Sequence, residues 1–375
     1  MAQSPIPLAI IGLSSSAATS WASSAHLPYL LSPLGRQKYN IIALLNSSVS
    51  SAREAIAHYN LPASTRAYGN PHDLAADPDV RLVVCATRVD KHDATTRPSI
   101  QAGKDVIIEW PLAENAGIAR ELASLAAEKK VRAAVGLQGR VAPIYKKVAE
   151  ILDSGRIGKV VSSEVRASGG SIDARVLPVG LKYFAQKEVG GNIITIGFGH
   201  LSDSIQHILG VIQSPSSTTQ IRYPDVKIRG PEGTIIEIIK SDVPDLIVVS
   251  GALPGTSRVV EGATLSIRFR RGAAFKDEPG LVWTIEGEKG ELRLVAPSGP
   301  AVQAVFSKPI SIEVHDYATD EVAPIEWAWY DWQEELPIAS RNIGALYEAF
   351  AEGGGYATFQ DALERHEQID NLLGS

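Results

Sequence analysis

Short apolar runs alternate with helix-like stretches through the first third of the chain. "PLAIIGL" (Pro7 to Leu13), "NIIALLN" (Asn40 to Asn46), "VRLVVCAT" (Val80 to Thr87), "DVIIEW" (Asp105 to Trp110) and "RAAVGLQ" (Arg132 to Gln138) are nearly continuous in apolar character. Strands buried on both faces require that pattern, whereas a half-wet strand would alternate. Between them, Ser50 to Tyr59 and Ala116 to Lys129 read as helices, the second with Ile118, Leu122 and Leu125 at helical spacing. Strand–helix–strand order predicts right-handed crossovers and a doubly wound parallel sheet.

After Pro143 the pattern changes. A helix containing "YKKVAEIL" is expected to stop at "DSGRIG", whose glycines suit a helix end and turn. Then come "KVVSSEVRA", "SSTTQIRY", "DLIVVSGAL", "ATLSIRFRR", "LVWTIEGE" and "GELRLVA", several of them alternating as in an antiparallel sheet with one wet face. "EGEKGEL" predicts a hairpin turn, and helices return at Asn342 to Glu352 and Thr358 to Leu373. The expected fold class is α/β. A Rossmann domain covers residues 1–142, and an α+β domain with an open, mainly antiparallel sheet covers 143–375. The exposed sheet face suits a homodimer, and the closing helices could pack back on the first domain.

Composition narrows the function classes. With 375 residues, 45% of them hydrophobic, the chain is long enough for about two cored domains. A net charge of −6 and dispersed basic residues argue against direct nucleic-acid binding. Apolar runs fall short of the ~20 residues of a membrane span, and "MAQSPIPLAIIGLSSS" lacks the charged start of a secretory signal. The single cysteine, Cys85, lies in an apolar strand and reads as an inert buried thiol. Cytoplasmic residence is expected.

The first strand runs into "GLSSSAATS". A dinucleotide site needs a tight glycine turn and a helix N-terminus close to the pyrophosphate. Gly12 can make the turn. Leu13, Ser14, Ser15, Ser16 and Ala17 replace the later glycines, and their amides and hydroxyls could cradle phosphate; a ligand-free turn of small residues remains the alternative. At the end of the second strand, where a carboxylate would hold the ribose of NAD, stand Asn46, Ser47 and Ser48, with Arg53 beyond. Hydroxyls plus an arginine tolerate a 2′-phosphate, which favours NADP(H) over NAD(H); otherwise Arg53 is a solvated helix residue.

The order of these pieces resembles the glucose–fructose oxidoreductase / inositol dehydrogenase / MocA family. "CATRVDKH" is similar to its "ATPNxxH", "GKDVIIEWPLA" to its "GKHVxxEKPxA", and "VGLQGRVAP" to its "VGxxxRFxP". "GGNIITIGFGHLSD" resembles "GGGxLxDxGxHxxD", and "SGRIGKV", "IEGEKGELRL" and the closing helix match further segments in order. The resemblance implies an NAD(P)-dependent oxidoreductase and places Ala86, Thr87, His92, Glu109 and Gln138 beside the cofactor. In that family's dehydrogenases a lysine and an aspartate serve the proton chemistry. Here the lysine position is Trp110 and the aspartate position is Ile196, while His200 is retained. This combination resembles the fungal galactose-regulon repressor branch, which implies a second possibility: a non-catalytic NADP-binding regulator, cytoplasmic or nuclear, that takes an activator protein as partner.

Without the lysine, three proton routes remain. His200 could act as the acid, its ordinary pKa near neutrality suiting the task. Tyr183 in "GLKYFAQ" could deliver a proton from the substrate side, beside Lys182. Or the substrate needs little help, as with an iminium or conjugated acceptor of secondary metabolism. A cofactor-dependent isomerisation using His200 is a further alternative. Trp110, whose indole N–H donates one hydrogen bond, would wall the pocket, and Arg140 could meet substrate or tie the two domains together. His200, Asp203 and His207 nominally share a helix face, but no three convergent ligands are evident and no metal is expected. "IEWAWYDW" holds Trp327, Trp329 and Trp332, half of the six tryptophans, which suits a domain seam or interface.

Overall fold

The computed structural model describes residues 4–16, 20–304 and 308–374. The chain divides into two compact units, one of residues 1–141 with 330–367, the other of 142–329 with 368–375.

In the first unit, the apolar runs form β1 (Ile6–Ile11), β2 (Tyr39–Leu45), β3 (Arg66–Tyr68), β4 (Leu82–Cys85), β5 (Asp105–Ile108) and β6 (Ala133–Val135). All are parallel, in the order β6-β5-β4-β1-β2-β3. The reversal of strand order between β4 and β1 is the topological switch point of a doubly wound sheet. Leu8, Ile10, Leu44, Leu82, Val84 and Ile107 are at most 1% exposed, which accounts for the unbroken apolarity of these runs. The sequence pattern misses two edge pieces: the short β3, and the two-residue strand Ala357–Thr358 antiparallel to β6. It also overextends the last run, because Gln138 opens a 3₁₀ turn, Gln138–Val141. The helix Ile338–Glu352 buries Ile343, Leu346, Tyr347 and Phe350 in this unit's core.

The second unit opens with the helix Pro143–Asp153, stopped at Gly155 in the left-handed region. Its strands are β7 (Val160–Gly169), β8 (Val176–Pro178), β9 (Gln213–Gln220), β10 (Asp225–Arg229), β11 (Ile235–Lys240), β12 (Leu246–Ala252), β13 (Val259–Arg271), β14 (Leu281–Gly287), β15 (Gly290–Ala296), β16 (Ser311–Asp316) and β17 (Glu321–Pro324). Among the described residues, eight form an open sheet in the order β17-β16-β15-β14-β7-β13-β12-β9, antiparallel except for the β7–β13 pair. The turn in "EGEKGEL" joins β14 to β15 as expected from the sequence. Burial alternates along β13, β14 and β15, which gives the sheet one apolar and one polar face. A smaller sheet, β11-β10-β8, covers Leu177, Val226 and Ile228; no sequence signal had marked it.

Among the described residues, no helix is long and apolar enough to cross a membrane. Leu265 on β13, opposite Ser163 of β7, is fully buried at the centre of the large sheet. Leu265→Ala should lower stability by about 2–5 kcal/mol in urea unfolding, through lost burial and the cavity left behind.

Candidate functional site

The ends of β1 and β4 meet at Gly12. Its φ is +94°, and a Cβ there would lie 2.6 Å from Thr87 Cγ2 and 2.8 Å from the Ala86 carbonyl oxygen. Only glycine fits both the left-handed backbone and this approach. The loop that follows is held from two sides. Asn46 Nδ2 donates to the carbonyls of Leu13 (2.8 Å) and Ser51 (3.2 Å), and the Tyr59 hydroxyl donates to the Ser14 carbonyl at 2.8 Å. Leu13 is fully buried, while Ser15 and Ser16 are exposed and the Ser16 amide donates to Ser14 Oγ. Ala17, also expected in the cradle, lies outside the described residues.

The structure separates the residues after β2 by task. Ser48 caps the helix Val49–His58, accepting from the Ser51 amide at 3.1 Å, and Ser47 is exposed beside Ser51. Arg53 is exposed and lines a surface depression with Ile56, Leu61 and Thr65, along the helix flank.

His92, which begins the helix His92–Gln101, ties the loop after β4 to the loop after β5. Nε2 lies 3.1 Å from the Thr87 carbonyl, and Nδ1 lies 3.0 Å from that of Pro111 and 3.3 Å from that of Leu112. Burial pushes its pKa down. Trp110 is 4% exposed, and its ring centroid lies 4.7 Å from that of His366. His366 Nε2 accepts from the Ala113 amide at 3.5 Å, and burial, with His92 nearby, pushes its pKa down to about 4. Arg140 is paired with Asp361 at 2.7 Å, within the first unit.

Strand topology gives Glu109 a definite counterpart. The two halves of the sheet are related by a pseudo-two-fold between β1 and β4, which matches β5 to β2. Glu109 directly follows β5 as Asn46 directly follows β2. One carboxylate oxygen, Oε1, accepts from His26 Nε2 at 2.9 Å, and His26 Nδ1 lies 2.9 Å from the Tyr347 hydroxyl. His26, Tyr347 and His366 escaped sequence reasoning. The first stands in the unremarkable stretch "ASSAHLPYLL", and the other two look like ordinary members of amphipathic helices.

In the second unit, Lys182 and Tyr183 lie on the 3₁₀ segment Val179–Ala185. Lys182 pairs with Glu237 at 2.6 Å, and Tyr183 packs edge-on against Phe184. A π-helical turn, Ile193–Phe198, leads into the helix Gly199–Leu209; Asn192 caps it by accepting from the Ile194 and Thr195 amides. Ile196 lies in that turn, and His200, 8% exposed, opens the helix. Asp203 is buried with His200, but His207 is exposed, so the three do not converge. Among the described residues, no group of three or more His, Cys, Asp or Glu could hold a metal. Trp327 and Trp329 touch edge-to-face at 5.4 Å, and the Trp327 indole donates to the Ile310 carbonyl. Trp332 instead packs on Tyr29 in the first unit.

Burial of His366 has a pH signature. Between its ordinary value of 6.5 and about 4, the unfolded chain binds a proton that the folded chain refuses, so stability falls as pH falls through that window. The loss should total roughly 3 kcal/mol, and His366→Gln should flatten the pH dependence in denaturant titrations.

Comparison with known proteins accords with this geometry. Residues 6–137 match the family described as "Oxidoreductase family, NAD-binding Rossmann fold", and residues 143–296 match "Gal80p, C-terminal domain". Dehydrogenase aclE of Aspergillus oryzae is 30% identical, across 99% of this chain and 96% of its own length. The galactose/lactose metabolism regulatory protein GAL80 of Saccharomyces cerevisiae is 26% identical, across 99% and 94%. Among solved structures, a super-repressor mutant of Gal80p from Saccharomyces cerevisiae shares the fold with a TM-score of 0.86 at 23% identity, covering 99% of this chain and 95% of the other. Levoglucosan dehydrogenase in complex with NADH and levoglucosan gives a TM-score of 0.73 at 17% identity, covering 99% and 97%. The chain therefore belongs to the glucose–fructose oxidoreductase / inositol dehydrogenase / MocA family and carries a Gal80-like C-terminal domain.

Proposed function

We propose that this chain is an NADP(H)-dependent oxidoreductase acting on a small or medium organic substrate, of the kind met in fungal secondary or sugar metabolism. The observation that carries the reading is the glycine-floored crevice at the strand-order switch, where a Cβ on Gly12 would strike Thr87 and Ala86. Its donor set suits a dinucleotide. Amides and hydroxyls of residues 13–16 would cradle phosphate, the Ser16 amide exchanging its bond to Ser14 Oγ for one to the ligand. Asn46 Oδ1 and Gln138 Oε1 are buried acceptors without a protein partner, suited to hydroxyl or amide donors. Glu109, counterpart of the residue after β2, would accept from a ribose hydroxyl on the nicotinamide side. Bound there, the cofactor would supply hydride chemistry.

The chain's own residues orient and handle protons. Ser47, Ser48 and Arg53 favour the 2′-phosphate; His92 fixes the loops after β4 and β5; Trp110 replaces an ammonium group with an indole wall. His200 is the proton donor or acceptor of choice, with Tyr183, Lys182 and Arg140 on the substrate side. The polar face of the large sheet would pair two copies. Residence would be cytoplasmic.

A second reading, a cofactor-loaded regulator that binds an activator protein in the cytoplasm or nucleus, is favoured by one observation. The position resembling the catalytic lysine holds a tryptophan only 4% exposed and packed on His366, which can stabilise developing charge only weakly.

Titration of purified protein should raise NADPH fluorescence, and NADPH should bind more tightly than NADH; the reverse order would overturn the assignment of Ser47, Ser48 and Arg53. A carbonyl, iminium or enone substrate should consume NADPH, and His200→Ala should slow that turnover ~100-fold. Binding without turnover across a broad panel would instead support the regulator. Light scattering should report a dimer.

A further inference from the structure

A carboxylate that follows the second strand of a nucleotide-binding half is useful only if it keeps a hydrogen-bond acceptor facing the ligand. Glu109 meets that condition because it is held from behind. A carboxylate can only accept, so His26 Nε2 carries a proton and donates it to Oε1 at 2.9 Å. In the neutral ring, Nδ1 then accepts from the Tyr347 hydroxyl, also at 2.9 Å. His26 and Tyr347 are both fully buried, so this chain of hydrogen bonds is shielded from competing water.

Tyr347 is itself immobilised. Its ring stacks on Tyr29 at 5.3 Å and 8°, and meets Tyr39 edge-on at 5.1 Å. The Tyr39 hydroxyl donates to the Tyr347 carbonyl at 2.6 Å, and Tyr29 and Lys38 both hydrogen-bond Glu348. The Glu109 carboxylate as a whole lies over Gly136, where a Cβ would come within 2.6 Å of Oε2 and 2.8 Å of Oε1, so only glycine leaves room for it. Its far oxygen is treated differently. Among the described residues no donor reaches Oε2, and 10% of the side chain is exposed. Oε2 is not sealed away by the protein, so its lone pairs are available to a donor on a ligand.

We infer that His26 and Tyr347 are positioning residues: they fix Glu109 through Oε1 so that Oε2 is presented to a ribose hydroxyl on the nicotinamide side of the bound dinucleotide. The inference rests on the dinucleotide reading above. Neither residue touches the ligand. Both act through the carboxylate, and their contribution is confined to one half of the cofactor, because the adenosine half binds at the ends of β1 and β2.

The test is calorimetric titration of the full chain with NADPH and, separately, with 2′,5′-ADP, which carries the adenosine half alone. Wild-type protein should bind both. His26→Ala should weaken NADPH about tenfold or more, the loss of one hydrogen bond to a charged group, and leave 2′,5′-ADP within twofold (roughly 0.4 kcal/mol). His26→Gln, whose side-chain amide can restore the donor to Oε1, should recover most of the affinity. Tyr347→Phe, which keeps the ring and removes one hydroxyl, should show the same selective loss at smaller size and serves where His26→Ala does not fold. Equal weakening of both ligands, or no recovery with His26→Gln, would reduce the pair to a structural role and overturn the inference while leaving the dinucleotide reading intact. Wild-type protein that binds neither of these ligands nor NADH would remove the dinucleotide reading, and the inference with it.

Discussion

The first unit is organised around a contact that a single methyl group would prevent. Gly12 brings the end of β1 against the carbonyl of Ala86 and the methyl of Thr87 at the end of β4, the two strands that flank the switch in sheet order. Backbone amides can gather there only because the chain turns with a positive φ and no side chain intervenes. Other features of the site support that turn. Asn46 and Tyr59 hold the following loop from the second strand and the next helix. His92 pins the loop after β4 to the one after β5. These restraints come from residues far apart in sequence, so the crevice depends on the whole sheet.

Much of the fold was legible because the physical signals were local. Unbroken apolar runs gave β1, β2, β4 and β5, and alternation gave β13 to β15 and their hairpin. Where local signals were weak, the reading fell short. β3 and Ala357–Thr358 are edge pieces of three and two residues, defined by pairing more than by composition. β10 and β11 are a short antiparallel pair, and the third strand of their sheet, the three-residue β8, comes from far back in the sequence. No periodicity announces the π-helical turns at Ala22–His26 and Ile193–Phe198, and only the second carries a side-chain cap, from Asn192.

The site was legible to a different degree. Gly12, Asn46 and Glu109 could be nominated because strand ends are where such a fold places its chemistry. Their division of labour could not. Asn46 spends its amide on the loop backbone, Ser48 caps a helix, and Arg140 is paired with Asp361. His26 and Tyr347 lie 321 positions apart and meet only after folding. Trp110 shows the same limit. Its replacement of a charged residue was visible in the sequence, but its partner, His366, sits in the last helix.

Cys85, the chain's lone thiol, is fully buried at the end of β4, next to the switch point, and burial raises its pKa. An alkylating reagent can reach it only when a local opening uncovers it, by parting of the sheet or by movement of the helix His92–Gln101, whose Thr95 hydroxyl lies 3.7 Å from the sulfur. The rate of covalent labelling therefore reads out local breathing of the nucleotide-binding edge from a single atom, with no engineered probe, and a ligand that clamps β1 to β4 would slow it.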